Sequence, residues 1–404
     1  MRILMCVEND SRDSRVQRAA RALGAAEHKV FVLALQRAGG PAEEGLGYAI
    51  ALRRIPLQPL AKKALRYLRF SIRGLDPLWY GHIARAVREY DIDVIHVHDL
   101  PLVNTGLKIA CRKGIPVVAD LHENYPDLVS ISRAAWRGRA AALMIPPGRW
   151  RRFEKAWLER VDRIITVIDE MSDRLVSDYD ISRQKITTVM NTVELGSIMS
   201  MPISEDILKR YEPWFTVMYM GNFGPHRGIQ TAILAMPRIL RAVPKARLVV
   251  VGAGGNEREL QKLARNLRLD DAVEFTGRQP REMIPSYIAA STVCLVPYTM
   301  SVQTNASGPQ KLFQYMAMGK PIVVSSMASL SRIIGETGGG LVYTAENAEA
   351  LADAVIRLYG DKDLASQMGQ AGLAAVRTRY DWSIEGKKLL ELYRGLEEGM
   401  GNGE

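Results

Sequence analysis

Residues 307–324, which read SGPQKLFQYMAMGKPIVV, decide the fold because they join a short helix to a buried strand. The helix is predicted to open near Pro309, since proline suits the first helical turn. Gly319 is predicted to end it, and Pro321 leads into a β-branched run typical of a strand buried on both faces. Lys311 and the free N–H groups of the first turn form a candidate phosphate site. The alternative is an ordinary surface helix.

Short β-branched runs alternate with longer amphipathic segments along the chain, which predicts an α/β fold with doubly wound parallel sheets. The pattern restarts after a polar stretch at 191–213, so two Rossmann-like domains facing a cleft are predicted. We expect domains at 1–195 and 196–380, and a C-terminal helix and tail, 381–404, that crosses back to the first domain. The strands are predicted at 2–7, 29–33, 94–97, 116–119, 163–167, 186–189, 215–220, 246–251, 272–275, 293–296 and 321–324.

The composition excludes several protein classes. Of 404 residues, 47% are hydrophobic and 24% are charged, which does not fit disorder, collagen or coiled coil. The net charge of +10 is concentrated in two acid-free segments, 53–73 and 131–153, which together carry +13 and leave −3 for the rest. A basic charge confined in this way does not indicate a general nucleic-acid binder.

Aromatic residues lie within or just after the two basic segments, and this combination suits an anionic membrane surface. On a helix, four cations form one stripe beside an apolar stripe. The cations are Lys62, Arg66, Arg69 and Arg73, and the aromatic residues are Tyr67, Phe70, Trp136, Trp150 and Trp157. The alternative is a solvated basic face over a local core. Both segments lie in the predicted first domain.

The cysteines and the apolar segments indicate the cellular compartment of the protein. Cys6, Cys111 and Cys294 are isolated and lack zinc-type spacing, which indicates a reducing compartment. The uncharged segment at 283–310 is interrupted by prolines and polar residues, so no membrane span is predicted there. We expect a cytoplasmic protein that is peripheral at the inner face of the cell membrane.

A glycine-rich loop, GNFGPHRG at 221–228, follows the first predicted strand of the second domain. Glycines let the backbone approach a ligand closely, and Arg227 before a helix N-terminus would add a bidentate phosphate donor. A glycine-rich turn with a surface arginine is an equal alternative. A second turn, VGAGGN at 251–256, lacks a clear ribose-binding acid, so a tight strand-to-helix turn is favoured there.

Taken in order, these segments resemble the retaining GT-B glycosyltransferases of family 4 over nearly the whole chain. The first domain resembles the family at DVIHVH, 93–98, and at DLHE, 120–123. The second resembles it at 221–228, 248–255, 275–278, 290–297, 309–324, 336–342 and 380–382. The resemblance implies sugar transfer from a nucleotide-sugar, UDP-sugar first and GDP-mannose second. The acceptor would be a lipid-linked saccharide in surface polysaccharide or glycolipid synthesis.

The resemblance also implies roles for individual residues. The catalytic residues would be His122, which faces the sugar, and Arg227 and Lys311, which hold the donor diphosphate. The donor-binding residues would be Gly221, Asn222, Gly224, Gly277, Arg278, Ser307, Gly308 and Gln314. The acceptor-side residues would be Asp10, Arg12, Arg15, His98 and Glu123. For His98 and Glu123 a structural role is an equal alternative.

Three positions depart from the family pattern. Glutamates are frequent where this chain has Ala306 and Gln314, and a basic residue is frequent at Asn222. Glutamine still hydrogen-bonds a ribose hydroxyl, but it cannot accept two bonds as a carboxylate does. These departures keep two alternatives open. One is a degenerate, non-catalytic GT-B binding protein, and the other is a nucleotide-sugar epimerase of the same fold.

The leaving diphosphate develops negative charge, which the enzyme has to stabilise. Asp91 and Asp93 have the spacing of a metal-binding Asp-x-Asp motif, but they precede their strand, so we expect a strand entrance there. A metal-independent clamp of Arg227, Lys311 and helix dipoles is therefore predicted, with no cofactor. No nucleophile is evident, so retention through a same-face ion pair or a covalent intermediate is undecided.

Overall fold

The computed structural model describes residues 1–8, 14–36, 43–45, 51–56, 70, 74–135, 146–305 and 307–401. The chain divides into two compact units. The first comprises Met1–Met190 and Glu385–Glu404, and the second comprises Asn191–Ile384. Some residues singled out in the sequence lie outside the described ones, namely Asp10, Arg12, Tyr67, Trp136, Ala306 and the four cations of the predicted stripe.

The first unit contains one sheet, whose strands run in the order β3-β4-β2-β1-β5-β6-β7-β8. All neighbours are parallel except β3, which is antiparallel to β4. The strands are β1 (Arg2–Val7), β2 (Lys29–Gln36), β3 (Glu43–Gly45), β4 (Ala51–Pro56), β5 (Val94–His98), β6 (Val117–Leu121), β7 (Arg163–Thr166) and β8 (Ile186–Thr188). Sequence prediction misses β3 and β4, because charged pairs interrupt their apolar pattern.

Helices flank this sheet: α1 (Ser14–Ala25), α2 (Pro77–Glu89), α3 (Val103–Lys113), α4 (Tyr125–Ala135), α5 (Pro147–Leu158) and α6 (Asp169–Tyr179). Local sequence explains several ends. The Asp76 carboxylate caps α2 by accepting the backbone N–H of Leu78 at 3.0 Å and of Trp79 at 3.2 Å. Gly114 ends α3 in the left-handed conformation, with φ of 70°.

A buried charge cluster joins α5 to α6. Glu154 is 1% exposed and accepts two hydrogen bonds from Arg174, at 2.8 and 3.0 Å. It also accepts one from the Tyr179 hydroxyl at 2.6 Å. The carboxylate is therefore paired and hydrogen-bonded, as a buried charge has to be.

Three of the aromatic residues predicted for the membrane surface are part of the core. Phe70, Trp150 and Trp157 are 7%, 3% and 5% exposed, and their rings contact one another. The prediction that these side chains contribute to a membrane surface is therefore wrong. They are buried because α5 packs them against α4 and against Phe70.

The second unit contains a six-stranded parallel sheet in the order β11-β10-β9-β12-β13-β14. The strands are β9 (Phe215–Met220), β10 (Ala246–Val251), β11 (Val273–Gly277), β12 (Val293–Val296), β13 (Ile322–Ser325) and β14 (Gly340–Tyr343). Counted within the unit, the order is 3-2-1-4-5-6, the Rossmann arrangement, in which ligands bind where the strand order reverses.

The helices of this unit are α7 (Leu195–Met199), α8 (Glu205–Tyr211), α9 (Ile229–Ala242), α10 (Glu257–Asn266), α11 (Ile284–Ala290), α12 (Val302–Asn305), α13 (Gln310–Ala317), α14 (Ala328–Thr337), α15 (Ala348–Gly360) and α16 (Lys362–Ala375). Short 3₁₀ turns lie at Leu100–Leu102, Arg183–Lys185, Pro225–Arg227 and Arg281–Met283, and a π turn lies at Val376–Tyr380.

The last helix, α17 (Trp382–Gly401), begins in the second unit and continues in the first. At its start, the Trp382 backbone N–H donates to the carbonyl of Val193 at 2.8 Å. Further along, Glu385 accepts the backbone N–H of Met190 at 2.7 Å. The Tyr393 hydroxyl lies 2.7 Å from Nδ1 of His96 in β5. The predicted return of the C-terminal helix to the first unit is confirmed.

Candidate functional site

In the second unit, the strand order reverses between β9 and β12, so the loops that follow these strands meet at one edge of the sheet. The loop after β9 is the glycine-rich segment 221–228, and the residues after β12 are Pro297 and Tyr298. Two glycines allow the close approach. A Cβ on Gly228 would lie 1.7 Å from the Pro297 carbonyl oxygen, and one on Gly252 would lie 2.0 Å from the Gly221 carbonyl oxygen.

Lys311, in the first turn of α13, reaches into this edge. Its side chain is buried, and Nζ lies 3.9 Å from the ring centre of Tyr219 and 5.1 Å from that of Tyr298. A Cβ on Gly221 would lie only 2.8 Å from Nζ, so the missing side chain makes room for the ammonium. Within the described part of the chain, Nζ has no hydrogen-bond partner.

Arg227 brings a second cation to the same place. Its guanidinium lies 4.7 Å from the ring centre of Tyr298 and donates a hydrogen bond to the Tyr298 hydroxyl. Burial, reinforced by the positive charge of Arg227, holds the pKa of Lys311 well below its usual range. Burial and the same two cations lower the pKa of His226 to about 4. The edge is therefore positive, and it disfavours any further positive charge.

The other predicted donor residues lie around this edge with different exposures. Asn222 is exposed at its side chain, and its carbonyl accepts the Tyr219 hydroxyl at 2.7 Å. The carbonyl of Gly224 accepts the Arg227 N–H at 3.0 Å. Gly277 ends β11 with φ of 70°, and Arg278 after it is exposed. The three residues Ser307, Gly308 and Gln314, before and within α13, are partly exposed.

In the first unit, a polar cluster lies at the carboxyl ends of β5 and β6. The Asp120 carboxylate is 2% exposed, and its Oδ2 lies 3.4 Å from His98 Nδ1 and 3.6 Å from His122 Nε2. These two imidazole nitrogens are 3.1 Å apart. His96 Nε2 lies 3.7 Å from the same oxygen. The structure thus brings the predicted residues His98 and His122 together around a buried aspartate.

Two carboxylates set the charge of His122. Burial disfavours its charged form, but Asp99 and Asp120 outweigh burial and raise the pKa of His122 to about 9. Burial, together with the neighbouring His96, lowers the pKa of His98 to about 3. Although burial opposes it, Arg15 leads the charges that hold the pKa of Asp120 well below its usual range. The cluster therefore favours positive charge at His122 and disfavours it at His98.

Arg15 is used inside the unit. Arg15 is 2% exposed. Its guanidinium donates to Asp120 Oδ1 at 2.8 Å and to the Val189 carbonyl at 2.8 Å. Arg15 thus forms a buried ion pair that links α1 to β6, and its predicted acceptor-side contact stays a prediction. Glu123 is partly exposed after β6, and the loop that holds Asp10 and Arg12 lies outside the described residues.

Several site residues carry little sequence signal. Tyr219 and Tyr298 surround the Lys311 ammonium, yet in the sequence they look like ordinary aromatic residues of a strand and a loop. The role of Tyr393 is equally hidden, because its partner His96 is far away in the sequence. Asp120 offers one recognisable signal, namely an acid inside the apolar strand VVADL.

Two family models match the chain. The model described as Glycosyl transferases group 1 matches residues 202–374, and the model described as Glycosyltransferase Family 4 matches residues 14–196. Together they account for most of its length. The chain belongs to the group 1 family of GT-B glycosyltransferases.

Curated relatives of this glycosyltransferase include the alpha-monoglucosyldiacylglycerol synthase of Streptococcus pneumoniae, 26% identical over 75% of the chain. A GDP-mannose-dependent alpha-(1-6)-phosphatidylinositol monomannoside mannosyltransferase of Mycobacterium tuberculosis is 31% identical over 45% of the chain. The matched parts span 66% and 47% of those proteins, less than two thirds of either.

Solved structures share the fold. Sucrose-phosphate synthase from Thermosynechococcus elongatus matches 99% of the chain and 100% of its own, with a TM-score of 0.80 and 19% identity. HepE of Anabaena in complex with UDP matches 98% of the chain and 100% of its own, with a TM-score of 0.74 and 15% identity. The predicted fold class is confirmed, and the family membership agrees with the predicted enzyme class. Within the described ranges, no helix is long and apolar enough to cross a bilayer.

Proposed function

We propose that this glycosyltransferase moves a sugar from a nucleotide-sugar to a lipid-linked saccharide in glycolipid or surface polysaccharide synthesis, with retention of configuration. A UDP-sugar is our first candidate donor and GDP-mannose the second. The observation that carries the proposal is the buried ammonium of Lys311. It lies beside the cation Arg227 and beside Gly221, whose missing side chain makes room for the ammonium.

A buried ammonium without a hydrogen-bond partner is costly unless an anion arrives to pair with it. Among the described residues, Lys311 forms no ion pair, and only the faces of tyrosine rings stabilise it. The nearby N-terminus of α13 adds a positive dipole end. Two cations and a helix N-terminus at a Rossmann switch point suit a diphosphate.

The same geometry supports catalysis without a metal at the donor. When the bond between the sugar and the diphosphate breaks, negative charge grows on the leaving oxygen, and fixed cations in a dry site stabilise it. Lys311 and Arg227 supply this charge from the second unit. We propose that the enzyme needs no metal at this position and that His122 contacts the donor sugar.

The names of similar proteins support the donor and acceptor classes. HepE was solved with UDP, and one relative is named for GDP-mannose. Both relatives above are named for lipid products or acceptors, a diacylglycerol and a phosphatidylinositol. Exposed cations on α5, Arg151, Arg152 and Lys155, add positive charge to the first unit. We propose that an anionic membrane surface binds this unit near the lipid acceptor.

A panel of UDP-, GDP- and ADP-sugars in a thermal-shift assay with EDTA present tests the donor proposal. A ligand at 100 times its Kd stabilises the folded state by about 2.7 kcal/mol. We expect one base to raise Tm clearly, and isothermal titration calorimetry to give the same Kd with and without EDTA. Absence of binding by every nucleotide would contradict the proposal.

Transfer itself is tested with the nucleotide that binds. We expect release of free nucleotide to rise when a lipid-linked saccharide is added, and the anomeric configuration of the product can be read by NMR. Gln314→Glu is expected to tighten donor binding, since a carboxylate accepts stronger bonds from ribose hydroxyls. An unchanged Kd would remove Gln314 from the ribose site. Tight nucleotide binding without release under any acceptor would favour the non-catalytic alternative.

Co-sedimentation with anionic and neutral vesicles tests the membrane proposal. Charge reversal of Lys62, Arg66, Arg69 and Arg73 should reduce binding to the anionic vesicles, because each basic residue near such a surface contributes about 1 kcal/mol. Equal binding of the two proteins would remove this stripe from the membrane proposal.

A further inference from the structure

The imidazole of His226 lies at the same sheet edge as the Lys311 ammonium. His226 is in the short 3₁₀ turn Pro225–Arg227, between β9 and α9. Its Nδ1 is buried and has no hydrogen-bond partner among the described residues. A buried polar atom without a partner is costly, so such an atom beside a candidate ligand site points to the ligand as its partner.

The fold holds this ring in place. The His226 carbonyl accepts the backbone N–H of Thr299 at 3.1 Å, which ties the glycine-rich loop to the loop after β12. A Cβ on Gly224 would lie 2.9 Å from Cε1 and 3.2 Å from Nδ1 of the imidazole, so the missing side chain makes room for the ring. The ring meets that of Tyr298 edge-on, with ring centres 6.5 Å apart. The same tyrosine ring contacts both cations of the edge.

The charges around the imidazole keep it neutral in the free protein. Among the described residues, Arg227 from the same turn and Lys311 from α13 act on it, and both are positive. Burial, reinforced by these two cations, lowers the pKa of His226 to about 4. Tyr298, which faces the ring from the loop after β12, and Asn222, in the glycine-rich loop, carry no carboxylate that could offset them.

A bound diphosphate would reverse this balance. It brings negative charge to the edge, and an opposite charge within about 4–6 Å moves the pKa of a group by about 1–3 towards its charged form. A protonated imidazole donates hydrogen bonds from both nitrogens, whereas a neutral one donates from only one. A phosphate oxygen at this place can therefore accept a hydrogen bond from Nδ1 and satisfy it.

We propose that His226 binds the donor diphosphate as a third group beside Lys311 and Arg227, and that it takes up a proton as the nucleotide-sugar binds. The inference rests on the proposed function, because it places the donor diphosphate at this edge. The proton comes from the solvent and returns to it when the diphosphate leaves. Donor binding is therefore coupled to pH and becomes tighter as pH falls.

Histidine-selective NMR of the full-length protein tests the proposal. The chain has six histidines, and the signal of His226 is the one that disappears in His226→Asn, or in His226→Gln if the first variant does not fold. We expect the pKa of His226 to be about 4 in the free protein. In the complex with the UDP- or GDP-sugar that binds in the thermal-shift panel, it should rise to about 5–7. A pKa that stays at about 4 in the saturated complex would overturn the proposal.

Calorimetry gives an independent readout. If the pKa of His226 in the complex is about 6, the Kd of the wild type should fall about tenfold between about pH 8 and pH 5. The ligand itself does not titrate in this range, because its diphosphate is a diester and lacks the ionisation near pH 6 of a phosphate monoester. His226→Asn should flatten this profile, whereas His82→Asn, which changes a histidine on α2 of the first unit, should keep it. A folded His226→Asn whose Kd falls as steeply as that of the wild type would also overturn the proposal.

The two possible failures give different results. If the proposed function is wrong, no nucleotide-sugar binds at any pH, and this inference falls with it. If only this inference is wrong, the nucleotide-sugar binds normally, but the pKa of His226 does not change.

Discussion

Replacing Lys311 by methionine separates a ligand-binding cation from a structural one. Methionine keeps most of the length and apolar volume of the side chain but removes the charge. In the free protein, the ammonium costs about 1–3 kcal/mol because it is buried without a hydrogen-bond partner among the described residues. Its contact with the Tyr219 ring, at 3.9 Å, returns about 2 kcal/mol. The free energy of unfolding should therefore change by no more than about 1 kcal/mol in either direction.

Nucleotide binding should respond strongly to the same change. A hydrogen bond to a charged group contributes about 1.5–3 kcal/mol, which corresponds to a Kd that is about 10–150-fold higher for Lys311→Met. Isothermal titration calorimetry with the preferred nucleotide gives the Kd, and urea denaturation gives the stability. Lys262→Met, at an exposed position of α10, is the matched control and should change neither quantity. A variant that loses several kcal/mol of stability but binds nucleotide normally would show that Lys311 is structural.

Three further predictions follow from single contacts. Gly252→Ala should destabilise the second unit by more than about 3 kcal/mol, because φ is 134° and the new Cβ would lie 2.0 Å from a backbone oxygen. Gly255→Ala, which meets nothing within 4 Å, should change the urea midpoint little. A UDP-sugar should bind most tightly at a pH below the depressed pKa of free Lys311, and less tightly as pH rises through it, since binding requires the charged form. Calorimetry at a series of pH values below the ordinary lysine pKa of about 10.4 should show this decline in the wild type and a flatter profile in Lys311→Met. Glu154→Gln should cost about 3–5 kcal/mol in urea denaturation because it breaks a buried ion pair, and a loss below about 1 kcal/mol would contradict the role given to this cluster. Glu159→Gln, at a half-exposed pair, is its control.

Local sequence was sufficient for the elements that depend on short-range physics. The second unit shows this at 307–324, where a first-turn proline, a glycine stop and a β-branched run predict α13 and β13. The apolar runs of β1, β5 and β10 were predictable for the same reason, since a strand covered on both faces has to be apolar throughout. β3 and β4 were missed because their charged residues become tolerable only when neighbouring elements pair with them, as Glu89 pairs with Arg53.

The site residues likewise divide into those that local sequence predicts and those that it does not. Arg227 and Lys311 could be nominated from the sequence, because glycines before a helix and a basic residue in a first turn are local signals. The ion pair of Arg15 could not be predicted, since its partner Asp120 lies in β6, far away in the sequence. Trp150 and Trp157 were predicted for a surface, but the packing of α5 buries them.

The sequence alone therefore determined that the chain has two doubly wound halves with cations in the second. Hydrophobic periodicity and turn chemistry act over a few residues, so they can be recognised in the sequence itself. Only the tertiary structure decided that the Lys311 ammonium lies over a tyrosine ring. It also decided that two histidines and an aspartate converge on one point. Such convergence depends on strand order, and strand order joins residues that no local pattern connects.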